Sequence, residues 1–151
     1  MCPRKEGGKE IMKYVVLVSH GEFANGLKNA LSMLTGNKPE IISAGLKDGM
    51  DADAFAKELL DKIDVIDQDD EVILLGDLVG GSPLTTAMDI LNQKGMLNSA
   101  IVIGGMNLPL ALTTVLMKDA FDNDTLIKQI LSEAQEGLKQ VCITTDEEDD
   151  I

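Results

Sequence analysis

The chain contains no tryptophan, and aromatic residues make up only 3% of its 151 residues. Its core must therefore be aliphatic, built from Leu, Ile, Val and Ala with methionine as adaptable filler. Cations are also scarce: 13 Lys and Arg stand against 26 Asp and Glu, for a formal net charge of −13. Such a chain is repelled by phosphate backbones and anionic lipid, so nucleic acid and membrane surfaces are poor partners. A partner with a basic patch suits it better, although the same charge also serves simply to keep a soluble protein dispersed. Two cysteines, Cys2 and Cys142, lie near opposite ends and show no metal-ligand spacing, which fits a reduced, cytoplasmic setting. No apolar run reaches membrane-spanning length and no secretory pattern opens the chain. Histidine is nearly absent too, because His20 is the only one.

What is present is enough for a single domain, with 44% apolar residues. Residues 1–11 are polar, glycine-containing and without periodicity, and are read as a disordered extension. Gly7-Gly8 is also what an in-frame ribosome-binding site would encode, so translation is expected to start at Met12. From Lys13 onward strand and helix patterns alternate. Tyr14 to Ser19 is a valine-rich run, as expected of a strand buried on both faces. Phe23, Leu27, Ala30, Leu31 and Leu34 then recur at helical spacing up to Gly36. Ile41 to Ala44 reads as a second strand. Asp51 can cap a helix that buries Ala52, Phe55, Leu59, Leu60 and Ile63. Glu71 to Gly76 is a third strand, and Ser82-Pro83 opens a helix that runs to Gly95, with serine as N-cap and proline first. Ser99 to Ile103 is a fourth strand, followed by helices over Asn107 to Met117 and Asp124 to Lys139. Val141 to Thr144 is a candidate final strand. The organisation expected is an extension (1–11), one domain (12–145) and a solvated acidic tail (146–151).

Alternation of strands and helices implies right-handed βαβ units, hence an α/β, doubly wound, mainly parallel sheet with helices on both faces. The expected strand order is 2-1-3-4. It sets strands 1 and 3 side by side, with a crevice at their carboxyl ends. Strand 1 ends at Ser19-His20-Gly21 and strand 3 at Gly76-Asp77, followed by Leu78-Val79-Gly80-Gly81-Ser82. His20 and Asp77 would face each other across the crevice. A carboxylate beside an imidazole fixes its tautomer and leaves the other ring nitrogen aimed outward. Gly80 and Gly81 let backbone approach closely, and the helix start at Ser82 offers N–H groups to an anion. His20 and Asp77 are therefore the candidate catalytic pair, and Gly21, Gly80, Gly81 and Ser82 the candidate phosphate site. Asn107 is a candidate pocket wall. Transfer of a phosphoryl group through histidine needs positioning and charge stabilisation, and no cofactor or metal.

Three segments, each at a strand end, carry a family resemblance. They are Val18-Ser19-His20-Gly21, Asp77-Leu78-Val79-Gly80-Gly81-Ser82-Pro83, and Gly104-Gly105-Met106-Asn107-Leu108-Pro109. Over residues 12–139 the chain resembles the IIA domain of the mannose-type family of the bacterial sugar phosphotransferase system. The resemblance implies that His20 accepts a phosphoryl group from the phosphocarrier protein HPr and passes it to a IIB component during sugar uptake. It implies phosphate on Nε2, Asp77 on Nδ1 and Ser82 in contact with the phosphate. It also implies a cytoplasmic homodimer exchanging an antiparallel edge strand, for which the segment near Val141 is the candidate.

Each residue has a plainer reading: His20 solvated, Asp77 a turn residue, Ser82 a helix cap, Gly80 and Gly81 turn glycines, Asn107-Leu108-Pro109 a helix start. Ser19-His20-Gly21-Glu22 also approaches the Arg-His-Gly-Glu signature of phosphoglycerate mutases. The arginine and the second histidine those enzymes require are missing. A flavin or nucleotide module is permitted by the fold, but no Ser/Thr run, dinucleotide fingerprint or P-loop occurs. The phosphoryl-donor subunit of a dihydroxyacetone kinase system shares the domain type and stays open as an alternative destination.

Overall fold

The valine-rich run becomes one of the two inner strands of the sheet. In the computed structural model, which describes residues 5, 6 and 9–143, Lys13–His20 forms β1. Strands β2 (Ile41–Leu46) and β3 (Glu71–Gly76) flank it, and β4 (Ile101–Ile103) pairs with β3. All pairings in this sheet are parallel and the order is β2-β1-β3-β4, the 2-1-3-4 order expected. Val18 lies opposite Ala44 on one side and Gly76 on the other.

Alternate side chains of β1 enter opposite layers, because successive Cβ atoms of a strand point to opposite faces. Val16 and Val18 pack with Phe55 and Leu59 of α2 (Ala52–Ile63) and Leu84 of α3 (Ser82–Gln93). Val15 and Leu17 pack with Leu31 of α1 (Phe23–Thr35), Leu110 of α4 (Leu108–Met117) and Ile130 of α5 (Asn123–Glu136). On α2 the buried residues are Phe55, Leu59 and Ile63, whereas Ala52 and Leu60 are exposed. Leu60 follows Leu59 directly and is turned about 100° from it around the helix. Ala52 sits in the first turn, at the helix end. None of the helices among the described residues is long and apolar enough to cross a membrane.

Side chains cap most of the helices. Asp51, Asn107 and Asp122 each accept an N–H three residues on, at 2.8, 2.9 and 2.8 Å. Helix α3 differs from expectation. Its N-cap is Gly81, Ser82 is already helical, and no side chain caps it. The chain turns at Gly80, with φ +81°, and so enters the helix one residue early.

At the amino ends of the strands, Lys118 is buried with its ammonium 3.0 Å from Asp119 and 3.5 Å from Glu40. Lys13 donates to the Lys118 carbonyl at 2.8 Å. These contacts meet the requirement that a buried charge be paired.

The ends of the chain depart from the sequence reading. Lys5–Glu6 and Lys9–Glu10 pair antiparallel in a two-stranded ladder, where residues 1–11 were expected to lack structure. Residues 141–143 form no strand, and Val141 and Ile143 are 78% and 92% exposed. A strand needs a neighbour to complete its ladder, and among the described residues none pairs with this segment. Thr144 and the acidic tail lie outside the described residues.

One crossing brings the functional end together. The turn after β1 passes over the end of β2, where the Gly21 amide donates to the Leu46 carbonyl at 2.7 Å. A Cβ at Gly45 would collide with the Gly21 carbonyl oxygen, and both sides of that contact are backbone. Gly45→Ala is expected to destabilise the fold by about 1–3 kcal/mol, the usual scale of overpacking. Urea denaturation checks this, and an unchanged midpoint would contradict the close crossing.

Candidate functional site

Strand β1 runs two residues past the end of its neighbour β3, Gly76 lying opposite Val18, and its last residue meets the residue that leaves β3. The backbone N–H of His20 donates to Oδ2 of Asp77 at 2.9 Å, and His20 Nδ1 lies 2.9 Å from the same oxygen. The other carboxylate oxygen, Oδ1, accepts the Leu78 amide at 2.9 Å. Burial pushes the Asp77 carboxyl up. The His20 amide, its ring and the Leu78 amide outweigh that and hold it below the usual 3.8. Asp77 is thus an acceptor at neutral pH. An Nδ1 at hydrogen-bond distance from it must carry the proton, which assigns the tautomer with the lone pair on Nε2. The His20 side chain is 47% exposed against 14% for Asp77. The ring therefore stands at the surface with its anchor beneath it.

The glycines around the pair serve two different ends. Gly21 has φ +56°, a conformation that side chains disfavour, and it turns the chain from β1 towards α1. Gly81 has ordinary dihedrals, but a Cβ there would stand 3.1 Å from His20 Cε1. Its lack of a side chain lets the start of α3 lie against the imidazole. Because no side chain caps α3, its first-turn N–H groups are left to water or an anion. Ser82 is exposed at this terminus.

Asn107 sits elsewhere. Its Oδ1 caps α4 and its Nδ2 donates to the Ala134 carbonyl at 3.0 Å, so both ends of the amide are spent joining α4 to α5. Among the described residues no hydrogen bond links it to His20 or Asp77. Its segment reaches the site through backbone instead. The Met106 amide donates to the Gly76 carbonyl at 3.0 Å, and Gly104 leaves room for Val79.

Two contributors escaped the sequence reading. Gly45 makes space for the Gly21 turn, and a lone glycine near the end of a strand is the signal that marks it. Ser19 is fully buried, and its Oγ accepts the Ala24 amide at 2.7 Å and donates to the His20 carbonyl at 3.0 Å. A serine closing an otherwise apolar run was its only trace in the sequence.

Comparison with known proteins bears on the family and the fold. The family model described as PTS system fructose IIA component, EIIA-man, matches residues 14–131. The chain is 23% identical over 128 residues to the PTS system fructose-specific EIIA component of Bacillus subtilis (strain 168), covering 85% of each. Among solved structures, it is similar to the PTS IIA protein associated with the fucose utilization operon of Streptococcus pneumoniae. That match has a TM-score of 0.73 and 26% identity, over 93% of this chain and 96% of the other. The mannose/sorbose-specific IIA subunit from Enterococcus faecalis has the same fold, with a TM-score of 0.74 and 18% identity, over 89% and 98% of the two chains.

A carboxyl that titrates lower when folded adds stability that is complete above its ordinary 3.8 and is lost as pH falls through the lower folded value. Asp77→Asn removes that titration. The thermal midpoints of Asp77→Asn and the parent protein should therefore differ at neutral pH and converge in acid below 3.8. A constant difference across the series would dissociate Asp77 from this stabilisation.

Proposed function

The chain belongs to the PTS fructose IIA component family, EIIA-man, and on that premise we propose that it is a cytoplasmic phosphoryl relay with His20 as its nucleophile. The observation that carries the reading is the double hold of Asp77 on His20, through the amide and through Nδ1. That hold leaves Nε2 as the ring nitrogen with an available lone pair.

In the first step the Nε2 lone pair attacks phosphorus on the phosphocarrier protein HPr. A new nitrogen–phosphorus bond forms, and the bond to the donor's leaving atom breaks with its electron pair. Nδ1 keeps its proton, so the phosphorylated ring carries positive charge, which the Asp77 carboxylate stabilises. The N–H groups at the start of α3, with Gly21, Gly80, Gly81 and Ser82, form the seat for the phosphoryl oxygens, assisted by the helix dipole. In the second step the nucleophile of a IIB component attacks the same phosphorus and His20 leaves, restored. The protein itself contributes alignment and charge, which is most of what such transfers require.

Exposed apolar residues beside the site support protein partners rather than a small ligand. Leu78 and Val79, directly after Asp77, are 57% and 82% exposed. The relatives are named for fructose, mannose/sorbose and a fucose operon. The group handled here is phosphoryl, so the function assigned is sugar uptake without a particular sugar. We further propose a homodimer in which the segment near Val141 pairs with the partner's sheet edge, because Val141 and Ile143 are left exposed within one chain.

Incubation with HPr, Enzyme I and phosphoenolpyruvate should add one acid-labile phosphate by intact mass, and His20→Ala should abolish it. Phosphate that survives acid, or none at all, would sink the relay. In the same assay Asp77→Asn should transfer about 10- to 100-fold more slowly with its fold intact, in line with the loss of an orienting partner. Shortening the chain to end at Lys139 should convert a dimer to a monomer by light scattering; a shortened chain that remains a dimer would refute the exchanged segment.

A further inference from the structure

His20 has three hydrogen-bonding groups besides Nε2: its amide, its carbonyl and Nδ1. Asp77 takes the amide and Nδ1. The carbonyl is taken by Ser19, whose hydroxyl donates to it at 3.0 Å. The same hydroxyl accepts the Ala24 amide at 2.7 Å in the first turn of α1. That helix's own N-cap, Glu22, makes no side-chain bond, so Ser19 acts as its cap from within the preceding strand.

We propose that Ser19 is a positioning residue for phosphoryl transfer, its buried hydroxyl locking the peptide after His20 against helix α1. The inference rests on the relay reading of His20. Gly21 follows immediately, and glycine leaves a backbone its greatest rotational freedom. The N–H of the peptide joining His20 to Gly21 is held by the Leu46 carbonyl at 2.7 Å; without the hydroxyl that peptide would keep this bond and lose the one to its carbonyl. Ser19 holds the carbonyl of that peptide from a position that is itself wholly buried. Asp77 then sets the ring and Ser19 sets the backbone that carries it. Two independent restraints hold Nε2 on one line of attack, where displacements of about 1 Å can slow transfer by as much as 10²-fold.

The test uses the full chain in the HPr, Enzyme I and phosphoenolpyruvate assay, together with the imidazole signals in nitrogen-15 spectra. Those signals belong to His20 alone, since the chain has one histidine. Ser19→Ala should accept phosphate about tenfold more slowly, on the scale of a small misplacement, and its imidazole signals should shift. Ser19→Thr, which keeps the hydroxyl, should restore most of the rate. A Ser19→Ala protein with a lower melting temperature but unchanged rate and signals would overturn the proposal and leave Ser19 a helix cap only. Should Ser19→Ala fail to fold, Ser19→Cys keeps the volume with a poor donor. Slow transfer by it supports the proposal, and transfer at the parent rate overturns it. If the parent protein itself takes no phosphate, the relay reading fails; unchanged imidazole signals in the Ser19 variants would then separately refute the positioning role.

Discussion

One carboxylate oxygen, Oδ2 of Asp77, receives both the backbone amide and the ring Nδ1 of His20, 57 residues earlier in the chain. No local turn can produce that contact. It exists because β1 and β3 are neighbours, and they are neighbours because right-handed crossovers wind the sheet outward in both directions from β1. Every element that stabilises the sheet thereby also stabilises the distance between two side chains at its rim. The carboxylate in turn must be ionised to serve, and the hydrogen bonds it accepts from His20 and Leu78 hold it so against the pull of burial.

The sheet and its coverings are arranged to leave that rim open. Mostly aliphatic side chains fill both layers, with Phe55 and Tyr14 in one of them, and the few cations are placed where acceptors need them. Lys118 is buried between Glu40 and Asp119 at the far end, and Lys62 donates to the Ser43 carbonyl on edge strand β2 at 2.7 Å. Most helix starts are closed by a side chain, from Ser19, Asp51, Asn107 or Asp122. The start of α3 is not, and it is the one that abuts His20.

Much of this was legible beforehand, for identifiable reasons. Unbroken apolar runs marked buried strands, and cap residues such as Asp51 and Asn107 marked helix starts to within a residue. Strand order followed from crossover handedness, and the meeting of His20 with Asp77 followed from strand order. What escaped depends on three-dimensional proximity that no periodicity encodes. Gly45 matters only because another turn crosses above it, and Ser19 only because its hydroxyl faces two backbone groups at once. Leu60 looked buried because it is apolar and adjacent to the stripe, yet the helix presents to the sheet a face narrower than its apolar content. The apolar pattern at 141–143 reads as a strand, yet these residues join no ladder among the described residues.

The imidazole is held from below and open above, with a single nitrogen facing outward. A phosphoryl relay built this way has one berth. Donor and acceptor must occupy the same face in turn, so neither can bind while the other is seated. On the relay reading proposed for this chain, flux follows double-displacement kinetics, in which an excess of either partner in its spent form blocks the other. Throughput on that reading is governed by how quickly each visitor departs, as much as by how quickly phosphorus moves from one partner to the next.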